Sequence, residues 1–312
     1  MGRFAFVLRR PLQLIPVIIG ISLITFLLLQ LTPGDPVRIM LGPRASAEAI
    51  SAVRERYGLD QLVIVQYGYY VFNAVQGDLG KSLAFRTPVS DVIAQRIAPT
   101  IYVLGYGLAL SLLLTLLLAV PAARAHGRFT DQLVRLICVT AVGIPSYWIG
   151  LMLIMFLSLR FKVFPVSGFG PSAIANLWHM FLPALTIALA VTPILTRNLR
   201  ATLVGQLSAD YATAGRSKGL PESYVFWRHV FPNSLLPTLN LAGIIVSFLI
   251  GGTVIVESVF NIPGLGQLMV RSVLTRDYFT VQGVTLVLAM GVVLTTFVVD
   301  VLTVILDPRV KL

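Results

Sequence analysis

Long apolar runs separated by shorter polar segments dominate the chain. An uncharged apolar run of about 18 residues or more is typical of a membrane-spanning helix, because about 20 residues at 1.5 Å each cross a hydrocarbon core of about 30 Å. The pattern therefore predicts an all-α membrane protein with six transmembrane helices. The six runs are Leu12–Leu31, Pro99–Ala123, Leu136–Leu159, Met180–Thr196, Leu239–Val256 and Tyr278–Val299.

The first of two long polar segments is Thr32–Ala98, whose mixed charges predict one or two short helices outside the membrane. Ser46 followed by Glu48 is a plausible N-cap with an acid in the first turn, and Gly58 is a plausible helix stop. Two functions fit this segment: it is either a plain spacer or a cap that contacts a partner outside the membrane.

The second polar segment runs from Asp210 to Leu239 and is longer than a simple turn requires. Its pattern predicts a short helix, Ser208–Lys218, with Ser208 as the N-cap and Gly219 just past the end. A second helix is predicted from about Glu222 to Val230, and Pro232 is predicted to break it before the chain re-enters the membrane.

The faces of the first short helix differ in character. Tyr211 and Ala214 share one face with Ser217 and Lys218 when read with helical spacing. Small residues are expected to leave room for the surface of a partner protein to approach. These small residues are Ala212, Thr213 and Gly215.

Composition and charge support a membrane location, since 56% of the residues are hydrophobic and 12% are charged, against about a quarter charged in soluble domains. A net charge of +11 is compatible with nucleic-acid binding, but the distribution of the positive charges along the chain follows the positive-inside rule of membrane proteins. With a cytoplasmic N-terminus, more than half of the 24 Lys and Arg residues fall in cytoplasmic segments. They are Arg3, Arg9, Arg10, Arg124, Arg128, Arg135, Arg197, Arg200, Arg216, Lys218, Arg228, Arg309 and Lys311. Both termini are therefore predicted to be cytoplasmic, and no nucleic-acid partner is expected.

No catalytic or nucleotide-binding pattern is evident in the sequence. The stretch "GDLGKS" (77–82) ends like a phosphate-binding loop, but Val75 stands where the first glycine is required. The three histidines lack metal-ligand spacing, and Cys138 is the single cysteine. Glu257 and Asp300 lie near the ends of apolar runs, and structural roles are favoured over proton coupling. The chain is therefore expected to be non-catalytic and to bind no cofactor or metal itself. If it moves a solute uphill, the energy is expected to come from another subunit.

The polar segment after residue 208 carries a family resemblance. It is similar to the cytoplasmic "EAA" loop of permease subunits of binding-protein-dependent ABC importers. Gly219 takes the loop's glycine position and Pro232 its proline position, while Ala214 matches the first alanine. Thr213 replaces the acid of the motif, and Gly215 replaces its second alanine. The dipeptide, oligopeptide and nickel branch is closer, through Asp210-Tyr211, Lys218-Gly219-Leu220, Arg228-His229, Asn233 and Leu235-Leu236-Pro237.

The resemblance extends along nearly the whole chain. Other segments similar to the first of the two permease subunits of peptide importers are "LTPGDP" (31–36), "GLDQ" (58–61), "GDLGKSL" (77–83), Gly251-Gly252, Val256-Glu257, Phe260, Pro263–Gly266 and "LDPRV" (306–310). The resemblance implies a type I ABC importer permease fold. It also implies an N-terminal helix with a long extracytoplasmic segment at 1–98, and a five-helix permease core at 99–312 with the coupling loop at about 197–237.

The function implied by the resemblance is an ATP-driven import of peptides across the bacterial inner membrane. A homologous second permease would form the other half of the pathway, two cytoplasmic ATPases (or one fused) would bind ATP and Mg, and an extracytoplasmic solute-binding protein would deliver a peptide-like substrate. The implied ATPase-coupling residues are Asp210, Tyr211, Ala212, Ala214, Gly215, Arg216, Lys218, Gly219, Leu220 and Pro221.

Alternatives stay open at this point. Nickel, haem or another peptide-like solute is the alternative cargo within the same importer class. A proton-coupled secondary carrier would need deep carboxylates and would be expected to have internal repeats, and a membrane-embedded enzyme would need a catalytic constellation. None of these features is evident in the sequence.

Overall fold

The computed structural model describes residues 3–30, 45–56, 60–170 and 172–306. In those ranges the chain is helical apart from connecting segments and one isolated β-bridge between Lys81 and Pro88. The helices are α1 Arg3–Gln30, α2 Ala47–Arg56, α3 Val63–Val75, α4 Val89–Arg124, α5 Phe129–Val142, α6 Ser146–Leu153, α7 Ala173–Leu207, α8 Asp210–Ser217, α9 Glu222–Val225, α10 Phe231–Val259, α11 Leu265–Leu274 and α12 Tyr278–Leu306. Ile154–Arg160 and Phe226–Val230 are π-helical and continue α6 and α9.

Four helical stretches in the described ranges are long and apolar enough to cross a membrane, and a bent pair adds a fifth. The four are Val89–Arg124, Ala173–Leu207, Glu222–Val259 and Tyr278–Ile305. The first predicted run lies in α1, whose described apolar part, Ile15–Leu27, is shorter than a span. The all-helical membrane architecture is therefore confirmed, and the sixth span stays a prediction.

The third predicted run, Leu136–Leu159, is not one straight helix. α5 ends at Val142 and α6 begins at Ser146, and the two parts meet at a bend of 101°. Pro145 has no N–H to donate and disfavours the helical conformation in the residue before it. The apolar pattern continues through the bend, so hydropathy alone predicts one helix where the backbone forms two.

The packing of α4 against α7 forms the centre of the described bundle. Gly107 lets the two helices approach closely, since a Cβ atom at this position would lie 2.9 Å from Ile187 of α7. Buried residues of both helices form the main core with α10 and the segment after it. These include Val103, Met180, Leu182, Val191, Leu195 and Phe260. Small residues thus set the helix spacing, as is usual where packing drives association in lipid.

Two buried carboxylates organise the end of the bundle opposite to α8. Glu257 accepts hydrogen bonds from the hydroxyl of Thr100 at 2.7 Å and from the backbone N–H of Gln267 at 2.8 Å, in the first turn of α11. Asp277 accepts from the hydroxyls of Ser82 and Thr280. Each carboxylate accepts a hydrogen bond from a residue in the first turn of a helix, α11 for Glu257 and α12 for Asp277. These contacts are consistent with the structural role predicted for Glu257. Asp300 lies half-buried in α12.

The segment after α1 forms two short helices, as its pattern predicts. α2 begins directly after Ser46, whose carbonyl accepts the N–H of Ile50 at 3.1 Å. α3 contacts α1 through a hydrogen bond of 2.8 Å between Tyr67 and Ser22. Burial beside α1 raises the pKa of Tyr70 to about 12. The predicted helix stop at Gly58 lies outside the described residues.

Candidate coupling site

The end of α8 is fixed by backbone geometry at Gly219. This glycine has a φ of +81°, a left-handed conformation that a Cβ atom disfavours. Its N–H donates to the carbonyl of Arg216 at 2.9 Å, and the N–H of Leu220 donates to the carbonyl of Gly215 at 3.2 Å. These two bonds form a Schellman cap. The predicted glycine just past the helix end is therefore confirmed.

The start of α8 differs from the prediction. Ser208 is not its N-cap: it follows the last residue of α7, and its hydroxyl donates to the carbonyl of Gly205 at 3.0 Å. Ala209 holds the N-cap position without a side-chain hydrogen bond. Because α7 extends to Leu207, the carbonyls of its last turn lie within reach of the serine hydroxyl.

Two of the small residues of α8, Ala212 and Gly215, pack against the chain's own helices. Ala212 is fully buried and packs with Leu199 and Leu203 of α7. A Cβ atom at Gly215 would lie 3.3 Å from Val225. The prediction that both leave room for a partner is wrong, because their size instead lets α8 approach α7 and α9. Thr213 is exposed, as that prediction requires.

The remaining predicted residues of this segment form its exposed surface. Tyr211 and Leu220 are 39% and 38% exposed, and beyond them Tyr224 and Trp227 are also exposed. These exposed side chains are available to contact a partner protein. The exposed residues among those predicted are Asp210, Tyr211, Ala214, Lys218, Gly219, Leu220 and Pro221.

Arg216 ties the end of α7, α8 and α9 together. Its guanidinium donates to both carboxylate oxygens of Glu222, at 2.8 and 2.9 Å, and to the carbonyl of Leu207 at 2.9 Å. The hydrogen bonds to Glu222 raise the pKa of Arg216 above its usual range. A bidentate pair fixes orientation as well as distance. Arg216 therefore stabilises the segment from within the chain.

The helix after α8 does not break at Pro232. α9 continues through the π-helical turn into α10, and the N–H of Phe231 bonds to the carbonyl of Phe226, five residues earlier. Pro232 is the second residue of α10 and directly follows the π-helical turn, a widening of the helix that accommodates the missing N–H. The prediction of a break is wrong, and Glu222–Val259 is a single unbroken stretch of 38 residues.

Polar contacts at the same end join the segment to the bundle. Arg124, at the end of α4, stacks 5.1 Å from the ring centre of Phe226. Arg200 of α7 makes a bidentate ion pair with buried Asp131 of α5, at 2.6 and 2.7 Å, and the N–H of Gly127 donates to the same carboxylate at 3.0 Å. In the sequence, Arg124 and Arg200 indicate topology only, and Asp131, a lone acid among those cations, is the one signal that points to an ion pair.

This arrangement defines a multi-pass membrane subunit that carries a short exposed helix, rigidly attached at one end of the bundle. The family model "binding-protein-dependent transport system inner membrane component" matches residues 79–312, and the model for its N-terminal part matches residues 3–104. The chain belongs to this family. It is a non-catalytic inner-membrane permease subunit of an ABC importer, as the resemblance implied.

Individual relatives narrow the class to the peptide-type permeases. The chain is 37% identical to the glutathione transport system permease protein GsiC of Escherichia coli O6:H1 (strain CFT073) over 98% of both chains. It is 36% identical to the protein of the same name from Salmonella typhimurium (strain LT2), again over 98% of both. A solved amino acid ABC transporter with histidines matches with a TM-score of 0.50 at 15% identity, covering 71% of this chain and 95% of that one. This last match supports the fold alone.

Proposed function

We propose that this importer subunit carries peptide-like solutes of the dipeptide and oligopeptide class. The observation that carries the proposal is the end-to-end similarity to glutathione permeases, at 37% identity over 98% of both chains. Glutathione is a tripeptide, so the name of these relatives fits the branch that the coupling segment resembles. Nickel, haem or another peptide-like solute is the alternative cargo for the same architecture.

The proposed assembly contains a homologous second permease, two cytoplasmic ATPases (or one fused) that bind ATP and Mg, and an extracytoplasmic solute-binding protein. In this assembly the chain forms half of the substrate pathway and binds no nucleotide. We assign six spans to α1, α4, the bent α5–α6 pair, α7, the α9–α10 stretch and α12, with both termini in the cytoplasm. Residues 1–98 then form the entry part, and residues 99–312 form the permease core.

The proposed coupling surface is α8 with the turn that follows it. Its exposed residues dock into a groove of the ATPase, in the manner of other helix-in-groove contacts. Ala212, Gly215 and Arg216 hold the helix on α7 and α9 from the inner side. ATP binding closes the ATPases, and the rigid attachment passes their movement to the α9–α10 stretch and α7. This is alternating access with the energy supplied by a partner.

The coupling proposal is tested by Gly219→Val. No neighbouring atom lies within 4 Å of a Cβ at this position, so the substitution acts through the left-handed backbone alone. Strain of about 1–2 kcal/mol disfavours the docked turn, and we expect ATP-driven uptake to fall about tenfold while ATPase activity uncouples from transport and the membrane level is retained. Gly205→Val, at an exposed helical position without close neighbours, is the matched control. Normal uptake by Gly219→Val would refute the coupling role.

The cargo and the energy source are tested in proteoliposomes containing the assembled importer. Uptake of labelled glutathione and of a labelled dipeptide is compared with uptake of nickel, with and without ATP. We expect ATP-dependent peptide uptake that requires both the ATPase and the binding protein. Uptake driven by a proton gradient in the absence of any ATPase would identify a secondary carrier instead. Affinity measurements on the binding protein then rank the peptides.

A further inference from the structure

A cleft of about 250 Å³ opens between α5 and α7 at the end of the bundle that carries α8. Its lining combines three guanidinium groups with a hydroxyl, a thiol and an apolar wall. The lining includes Arg135, Cys138 and Val139 from α5, and Thr196, Arg197 and Arg200 from α7. Of the lining residues, Arg200 is already paired with Asp131.

Among the described residues, two of the three cations have no anion beside them. Arg200 is neutralised by its bidentate pair with Asp131. Within the described part of the chain, Arg135 and Arg197 form neither a salt bridge nor a side-chain hydrogen bond, and both are exposed. Two unneutralised cations at the mouth of one cleft favour an anionic ligand.

A buried donor also lacks a partner at this cleft. Thr196 is 1% exposed, and its hydroxyl makes no hydrogen bond to any described residue. Most buried hydroxyls are hydrogen-bonded, and helical threonines commonly bond to the carbonyl three or four residues earlier. A ligand oxygen in the cleft would satisfy this hydroxyl while two guanidinium groups compensate its charge.

The surface around the mouth is apolar. Leu136 and Val139 are each 65% exposed, and Ile137 and Ile194 are also exposed. A soluble anion gains nothing from such surroundings, whereas a phospholipid places its phosphate among the cations and its acyl chains along the apolar wall. Basic pockets between membrane helices at the cytoplasmic side bind acidic headgroups in this way.

We propose that the α5–α7 cleft is a binding site for the headgroup phosphate of an anionic phospholipid. Arg135 and Arg197 contact the phosphate, Thr196 donates to one of its oxygens, and Arg200 is held in place by Asp131. The occupied site bridges the helix before the bend and the helix that supports α8. It is independent of the cargo proposed above.

The experiment titrates the purified full-length chain in detergent with phosphatidylglycerol and counts retained lipid by native mass spectrometry. Phosphatidylethanolamine and inorganic phosphate are the comparison probes. We expect one tightly retained phosphatidylglycerol, and about thirtyfold weaker binding in the double variant Arg135→Gln/Arg197→Gln, since each surface cation contributes about 1 kcal/mol toward acidic lipid. Arg135→Lys/Arg197→Lys should restore most of the retention.

A control variant of equal charge, Arg128→Gln/Arg160→Gln, removes two exposed arginines away from the cleft and should bind lipid as the unchanged chain does. Thermal unfolding of all variants shows whether each is folded. Equal retention of phosphatidylethanolamine, or unchanged retention by the Arg135→Gln/Arg197→Gln variant, would overturn the site. Displacement of the lipid by inorganic phosphate would assign a free anion instead, and displacement by the second permease subunit would assign a protein interface.

Discussion

At the residue scale, the contact between Gly264 and Glu257 shows how one missing methyl group positions a buried carboxylate. A Cβ atom at Gly264 would lie 2.3 Å from the carboxylate of Glu257, so no side chain fits there. The space that glycine leaves lets Glu257 reach the N–H of Gln267 and the hydroxyl of Thr100. That hydroxyl in turn accepts the N–H of Leu265 at 2.8 Å. The start of α11 therefore depends on this pair.

Gly264→Ala is expected to displace the Glu257 carboxylate and to destabilise the folded chain. Losing the two hydrogen bonds to the buried carboxyl group of Glu257 costs about 2 kcal/mol, which lowers the midpoint of thermal unfolding in detergent by several degrees. Gly251→Ala is the control, because no atom lies within 4 Å of a Cβ there and the position is helical. It should leave the midpoint unchanged or slightly raise it. Equal midpoints for both variants would contradict the steric argument.

In the coupling segment, the role of a single residue could be predicted only where the backbone conformation determines the residue type. Gly219 could be recognised because a helix commonly ends in a left-handed residue and glycine adopts that conformation most readily. Ala212 could not be assigned, since a small residue suits a partner's groove and the chain's own core equally well. Ser208 was assigned wrongly as an N-cap because its hydroxyl bonds to a carbonyl in the last turn of α7. The residues around Ser208 do not show how far α7 extends.

At the element scale, the spacing between α4 and α7 depends on a glycine of α4 that faces α7. Gly105 and Gly107 stand two positions apart on α4. Only Gly107 contacts α7, through Ile187, whereas nothing lies within 4 Å of a Cβ at Gly105. The sequence shows two small residues of equal appearance, and the structure separates an interface position from an open one.

Gly107→Leu and Gly105→Leu therefore form a matched pair. We expect Gly107→Leu to push α4 away from α7 and to lower stability by about 3 kcal/mol, since overpacking costs about 1–3 kcal/mol and backbone contact leaves little room to relax. Gly105→Leu should remain as stable as the unchanged chain. Thermal unfolding of the two variants in the same detergent measures the difference. A larger loss for Gly105→Leu would show that the packing is assigned to the wrong face.

Most helices could be predicted from the apolar runs, because burial in lipid requires continuous hydrophobicity. The errors fall at prolines. Pro145 accompanies a 101° bend, whereas Pro232 sits inside an unbroken helix beside a π-helical turn. The ring has the same chemistry at both places. What differs is the backbone response: a wider, π-helical turn precedes Pro232, whereas the chain changes direction at Pro145.

At the scale of the whole molecule, the distribution of charge and the family membership describe an inner-membrane subunit that works within a larger assembly. Family, class and location follow from the sequence pattern together with its relatives. The cargo does not, because selection in such an importer rests largely on a separate binding protein. The described helices account for four or five spans, so the full topology is the whole-molecule property to measure.

Reporter fusions test the six-span topology. A green fluorescent protein fused after residue 312 is expected to fluoresce, because this reporter folds on the cytoplasmic side. Alkaline phosphatase fused after Gly77 is expected to be active, since it matures outside the inner membrane. A fluorescent fusion after Ala209 is the control for the coupling segment. Phosphatase activity at the C-terminus, with the activity after Gly77 retained, would indicate an odd number of spans and would place only the C-terminus outside.

The unbroken stretch Glu222–Val259 has a mechanical consequence. Its 38 residues extend about 57 Å at 1.5 Å per residue. A rotation of about 10° around its midpoint displaces each end by about 5 Å, roughly one helical turn. One end begins beside α8 and the other carries Glu257 against the start of α11. Under the proposed coupling, a small rotation at the α8 end would therefore become a translation, of the size of a side chain, at the opposite end of the bundle.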